Sequence, residues 1–315
     1  MDVLELLRLN LFSPMVLAFL LGLIAVLVRS DLQFPKDFSS VVSIYLLFAI
    51  GLKGGAELSI TPFSSIILPM LATLALGIMT CLIAFFVLLR RFDRLNAAAI
   101  AAHYGSVSAV TFTAALTFAS ANYPNLEGFL PALVAILEIP AIALAMYLAN
   151  QKGQTKLWHE LLTGRSLLMV LGGLAIGLLA GQSGLERVKP FFVAPFQGVL
   201  TLFLLEMGLV AGQRLRDLKK VGAFLVGFGI VVPVLHGCIG ILLARLSGLS
   251  EGGAFVLGVM AASASYIAAP AAVRVALPDA NPTYYLGASL GITFPFNLTL
   301  GIPIYVLLAQ WLYGL

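Results

Sequence analysis

The amino-acid sequence predicts an all-α polytopic membrane protein: ten transmembrane helices forming a 5+5 inverted repeat, in which two helices are discontinuous and cross. Three observations carry this. Hydrophobic residues make up 61% of the 315 positions and charged residues 10%, with a mean hydropathy of +1.05. Apolar runs of about 20 residues recur from end to end, each able to cross a hydrocarbon core of roughly 30 Å as a helix. The third is a repeat: HisTyrGlySerValSerAlaVal at 103–110 is echoed by MetAlaAlaSerAlaSerTyrIle at 260–267, so that Ser106 matches Ser263 and Ser108 matches Ser265, 157 residues apart. The same offset pairs Gly51 with Gly208, Gly55 with Gly212 and Ala114–Ala115 with Ala271–Ala272. A β-barrel needs short segments of alternating polarity, and 17–28 shows no alternation.

Taken in order, the first expected span is 12–29, an uninterrupted apolar run. The second, 39–57, carries Gly51-x3-Gly55, and the third is 66–89. The fourth, 96–119, is broken around Gly105, and the fifth, 128–150, holds Glu138 in LeuGluIlePro. The sixth, 166–183, carries a Gly173, Gly177, Gly181 stripe, and the seventh, 195–213, carries Gly208-x3-Gly212 with Glu206. The eighth is 221–245; the ninth, 252–276, is broken at Ser263–Ser265 and contains Pro270; the tenth is 284–312. Glycine stripes of this spacing read as helix contacts or an oligomer surface. Five crossings per repeat is an odd number, so the halves point in opposite directions. The first repeat is 1–150, the linker 151–165 and the second repeat 166–315.

Orientation follows from Lys and Arg. With both termini outside, the inner loops hold Arg29, Lys36, Arg90, Arg91, Arg94, Lys152, Lys156, Arg165, Arg214, Arg216, Lys219, Lys220 and Arg274, which is 13 of the 18 basic residues. Cytoplasmic loops carry such an excess. This placement accounts for the basic isoelectric point near 9.1 without a nucleic-acid partner. The N-terminus lacks a basic n-region and a small-residue cleavage site, so no removed signal peptide is expected. Cys81 and Cys238 both lie in apolar runs, and no disulfide is expected.

The two broken helices are the candidate transport site. Gly and Ser interrupt helices, and Pro270 removes a donor. A break inside the membrane frees N–H groups at the start of the second half-helix and C=O groups at the end of the first. Neither tolerates lipid. The N–H groups favour an anion and the carbonyls favour a cation such as Na+. The expected anion site is Gly105, Ser106, Val107 and Ser108 with Ser263, Ala264, Ser265 and Tyr266. The expected Na+ site is His103, Tyr104, Ala261 and Ala262, completed by Glu138 or Asn297, whose segments correspond in the two repeats. With no basic side chain in either break, the anion must be small and held by neutral donors. The competing reading of such segments is close helix packing by small residues.

Other features carry less. Glu206 has Ala49 as its repeat counterpart and no assigned role, and His103 and His236 read as core side chains. There is no Gly-x4-Gly-Lys-Ser/Thr string, no HExxH and no Cys/His cluster, so no ATP site, resident metal or cofactor is expected. Gly287-Ala-Ser289-Leu-Gly291 matches a nucleophile-elbow string, but that motif needs a strand–turn–helix setting and here opens a transmembrane helix. The chain is not expected to be an enzyme.

The segments 102–112, 261–274 and 48–58 (PheAlaIleGlyLeuLysGlyGlyAlaGluLeu) resemble the cyanobacterial sodium-dependent bicarbonate transporter family, and the likeness covers essentially the whole chain. The resemblance implies core and gate domains and a homotrimer in the plasma membrane. It also implies high-affinity Na+/HCO3− symport for inorganic-carbon concentration, and a PII-like regulatory protein on the cytoplasmic face. The linker of about 16 residues is shorter than the family's. Alternatives from other classes are symport of another small anion, which shares the architecture, and a channel or cation/proton antiporter. An antiporter would show paired acids at the midplane, and neither break contains one.

Overall fold

A computed structural model of the chain describes residues 3–149, 163–214 and 218–314. Most of the expected linker, with Lys152 and Lys156, lies outside the described residues, as does Arg216. The described residues are helical and contain no strand. The helices are α1 (Val3–Leu11), α2 (Pro14–Leu27), α3 (Phe38–Leu58), α4 (Phe63–Leu88), α5 (Arg94–Gly105), α6 (Ala109–Asn122) and α7 (Leu130–Leu148). They continue as α8 (Arg165–Phe192), α9 (Phe196–Arg214), α10 (Leu218–Leu246), α11 (Glu251–Ala262), α12 (Ala268–Ala276) and α13 (Pro282–Tyr313).

Counting α5 with α6 as one, eight of these are long and apolar enough to cross a membrane among the described residues. The shorter apolar helices α2 and α11 occupy the first and ninth expected spans. The chain is a polytopic, multi-pass membrane protein.

Two features depart from the sequence reading. Helix α1 precedes the first expected span. Ser13 separates it from α2 because its side chain accepts from Val16 N (3.3 Å), and Pro14, lacking an N–H, suits the first helical turn. Asn10 of α1 donates to the carbonyls of Leu298 (3.0 Å) and Thr299 (2.9 Å). Those carbonyls belong to the second departure. Helix α13 widens to π geometry over Gly287–Thr293 and again over Asn297–Gly301. The elbow-like string lies in the first stretch, far from any strand–turn–helix setting.

Two helix pairs are glued by glycine. In the pair α3 and α8, a Cβ at Gly55 would fall 2.1 Å from Leu174 O, and one at Gly177 would fall 2.1 Å from Leu52 O. In the pair α2 and α9, a Cβ at Gly22 would meet Leu205 O at 2.2 Å and one at Gly208 would meet Phe19 O at 2.1 Å. Only glycine permits backbones this close. The stripes are therefore contacts within the chain. Gly181 adopts φ 63° and kinks α8.

The remaining helices enclose the breaks. Helix α4 packs on α5 and α7, and α10 on α11 and α13. The first half-helices are sealed on every side: Ala97–Ala102 of α5 are fully buried, as is nearly all of α11. A helix that is apolar all round belongs inside such a shell. Asp93 caps α5 through Asn96 N (3.0 Å), and Ser250, 157 residues on, caps α11 through Gly253 N (3.1 Å). Glu127 holds Ser250 in place by accepting from its hydroxyl (2.9 Å).

Candidate functional site

The breaks in α5–α6 and α11–α12 meet and are pinned to each other. Ser108 N donates to Ser263 Oγ (2.9 Å), and Ser265 N donates to His103 O (2.8 Å). Each break thus gives one backbone amide to the other. Gly105 lets the first break seat closely against α4 and α7. A Cβ there would lie 2.6 Å from Cβ of both Cys81 on α4 and Ala141 on α7.

The four serines divide into two kinds. Ser108 and Ser265 start the second half-helices: Ser108 Oγ accepts from Thr111 N (3.2 Å) and Ser265 Oγ from Ala269 N (3.2 Å). Ser263 is fully committed, because its hydroxyl donates to Met260 O (2.7 Å) while accepting from Ser108 N. Ser106 is the exception. Its hydroxyl is buried and has no hydrogen-bond partner. A buried hydroxyl left unpaired costs about 1–3 kcal/mol, so it is an open position for a ligand.

The backbone tells a similar story. Among the described residues, the amides of Ser106, Val107, Ala109 and Val110 take no protein acceptor, and neither do those of Ala264, Tyr266, Ile267 and Ala268. Of the amides expected to be free, those of Ser108 and Ser265 are instead spent on the crossing. At the carbonyl ends, His103 O and Ala262 O are occupied, the latter by Asn297 Nδ2 (2.7 Å). The carbonyls of Tyr104 and Ala261 accept no hydrogen bond.

Asn297 is clamped. Its amide donates to Ala262 and its Oδ1 accepts from Tyr305 OH (3.0 Å). It sits where α13 re-enters π geometry, and it ties that helix to the end of α11. Tyr104 plays the matching part for α5. Its hydroxyl lies 2.6 Å from Thr293 Oγ1, which itself donates to Gly229 O (2.7 Å), so Tyr104 is the donor. The sequence reading reached Asn297 and Tyr104, but it missed Tyr305 and Thr293. Both are ordinary-looking residues in apolar runs, and only the fold aims them at the breaks.

His103 Nδ1 lies 2.7 Å from Ala99 O, which fixes the proton on that nitrogen because a carbonyl only accepts. Its ring stacks on Tyr285 at 4.7 Å and Nε2 has no partner. His236 is fully buried with neither ring nitrogen bonded.

A cavity of about 690 Å³ leads to the crossing. Lys36, Ser39 and Ser43 line one wall, Arg165 and Ser166 another, and Glu138 and Tyr266 its inner end. Beyond them lies a void of about 10 Å³, which shares Glu138, Ser166, Tyr266, Ile267 and Ala268 with the cavity and adds Val107, Ser108, Ala109 and Ser265. The second half-helices thus begin at the inner end of this funnel, whose lining is more apolar than polar. Ser106, Ser263 and Asn297 stand outside its lining. Glu206, which the sequence left without a role, accepts from the hydroxyl of Ser39 on the cavity wall.

The Na+-dependent bicarbonate transporter superfamily matches the chain over residues 14–310. The chain belongs to this superfamily. The match runs from the start of α2 into the last turns of α13, so it takes in both breaks, the funnel and the clamp on α13. No curated protein matches the chain. Membership of the bicarbonate transporter superfamily and a fully helical membrane architecture point to a transporter and away from an enzyme.

Proposed function

We propose that the protein is a secondary active transporter that carries bicarbonate and Na+ together, a Na+/HCO3− symporter. The observation that carries this reading is the crossing. Two helix N-termini with unspent amides converge at the inner end of the funnel, and among the described residues no Lys or Arg lines the void there. Oriented amides and a helix N-terminus favour negative charge, and neutral donors suit a small planar anion of single charge.

For the anion, the supporting residues are Gly105, Ser106, Val107, Ser108, Ser263, Ala264, Ser265 and Tyr266. Within that set, the free amides and the uncommitted Ser106 hydroxyl are the groups with capacity to spare. For Na+, the free carbonyls of Tyr104 and Ala261 offer the oxygen ligands that a hard cation takes, beside His103 and Ala262. Asn297 acts by holding Ala262 in place. The constant 157-residue offset of the caps, breaks and glycine contacts supports a 5+5 inverted repeat. In it α4–α7 with α10–α13 form the core, and α2, α3, α8 and α9 form the gate. The funnel opens beside Lys36 and Arg165, the side that the basic-residue excess assigns to the cytoplasm, so this is an inward-open state.

The family likeness supports high-affinity uptake at the plasma membrane for inorganic-carbon concentration, a homotrimer, both termini outside, and a PII-like partner on the cytoplasmic face. Exposed Arg90, Arg91 and Arg94 suit an acidic partner surface, and such binding should weaken as salt shortens the screening length to about 8 Å or less. The deciding experiment is uptake of labelled bicarbonate into proteoliposomes with and without an inward Na+ gradient. Uptake that needs the gradient is the expected result. Uptake indifferent to Na+ would turn the reading to a channel.

A further inference from the structure

Among the described residues, Glu138 is the one acidic side chain that lines both the cavity and the void. It is 6% exposed, and among the described residues no protein donor bonds to it. The residues that line the void with it include Val107, Ala109, Ile267 and Ala268, whose amides have no acceptor, and Tyr266, whose hydroxyl has no partner, beside the apolar Leu47 and Val134. Ser108 and Ser265, also in the lining, already accept from α6 and α12 with their oxygens. The Tyr266 hydroxyl lies beside Ser108 without forming a hydrogen bond of normal geometry.

A site made only of donors would hold any small oxyanion. Bicarbonate differs from nitrate, which has the same planar shape and charge, in carrying one O–H. That proton needs an acceptor, and an ionised carboxylate is an acceptor with no hydrogen to give. We propose that Glu138 is the specificity residue of this site: its carboxylate accepts the O–H of the bound anion, so the site selects singly protonated oxyanions over those without a proton. The inference rests on the bicarbonate reading above and deepens it. The anion occupies the shared mouth of cavity and void, since the void alone has room for about one water. Its charged oxygens face the free amides and its O–H faces Glu138.

The arrangement carries a cost that fits the coupling. A carboxylate beside an anion is repulsive, and in a poorly solvated site the repulsion is large. A Na+ at the free carbonyl ends of the first half-helices would offset it. A site built to bond a substrate hydroxyl rejects the analogue lacking it because the buried partner is left unpaired. Specificity of this kind is a penalty on the wrong ligand as much as a gain for the right one.

The test compares wild type with Glu138→Gln and Glu138→Asp in proteoliposomes under a Na+ gradient. Labelled bicarbonate uptake is competed by unlabelled bicarbonate or by nitrate, and labelled nitrate uptake is followed directly. Wild type should prefer bicarbonate strongly. Glu138→Gln removes the negative charge and replaces one acceptor oxygen by an NH2 donor, leaving a neutral carbonyl as the remaining acceptor, so the preference should fall at least about tenfold, with nitrate gaining as bicarbonate loses. A gain for nitrate also shows that the variant is folded. Glu138→Asp keeps the acceptor and should keep the preference at a lower rate. Three results overturn the proposal. One is an unchanged preference in Glu138→Gln, which is expected of a protonated Glu138 acting as donor. Another is an equal loss for both anions with a raised Na+ requirement, which marks Glu138 as a Na+ ligand. The third is wild type that carries neither anion, in which case the functional reading falls and the specificity role with it.

Discussion

At the scale of single residues, the two break serines are chemically alike and structurally opposite. Ser263 holds the crossing together, since its hydroxyl gives to Met260 O and takes from Ser108 N. Ser106 bonds to nothing. The repeat makes them equivalent in sequence, so the difference was invisible until the two breaks were seen to share one strut. It yields opposite expectations. Ser263→Ala strands a buried amide and should destabilise the protein by about 1–3 kcal/mol, read as a lower unfolding temperature in detergent. Ser106→Ala removes a hydroxyl that the protein does not use and should leave that temperature unchanged or higher. Equal thermal losses in both variants would mean that Ser106 has a structural partner after all.

At the scale of helices, glycine decides which surfaces meet. A Cβ at Gly208 would meet Phe19 O at 2.1 Å, whereas one at Gly172 would meet nothing within 4 Å. Gly208→Ala should therefore force α2 and α9 apart and destabilise by about 1–3 kcal/mol. Gly172→Ala, on the open face of α8, should be neutral or stabilising by up to about 1 kcal/mol. Thermal unfolding of the two variants side by side is the check, and a Gly208→Ala protein as stable as wild type would refute the contact. These stripes were legible as packing surfaces, because spacing alone marks a helix face. Their partners were not, because choosing between a contact within the chain and one between chains needs the third dimension. The spans themselves were legible from hydropathy. Helix α1 was not, since its apolar pattern runs into α2 and only the Ser13–Pro14 cap separates them. Neither was the π geometry of α13, where Gly287, Gly291 and Gly301 look like ordinary small residues of a spanning helix.

At the scale of the whole molecule, the breaks were visible as a repeat, but what each group in them does depends on long-range pairing. His103 lies 162 positions from Ser265, yet its carbonyl takes the Ser265 amide. Sequence could say that free amides and carbonyls exist there, and not which survive once the halves lock together. That locking places the free amides and the remaining carbonyls of Tyr104 and Ala261 on one crossing. The clamps Asn297–Ala262 and Tyr104–Thr293 fasten it to α13. On the proposed reading, two ligands of opposite charge held by the same four half-helices cannot bind independently. Each lowers the electrostatic cost of the other, and each benefits when the other orders the breaks. The coupling must then be reciprocal: Na+ should raise bicarbonate affinity by the same factor as bicarbonate raises Na+ affinity, typically 5–150-fold for coupled sites. Equilibrium binding of each ligand to purified protein, titrated at several concentrations of the other, measures both factors. Asn297→Ala frees Ala262 O and loosens α11 from α13, so it should shrink both factors together. A bicarbonate affinity that ignores Na+ would mean that the two ligands are uncoupled and would break the link between this crossing and symport.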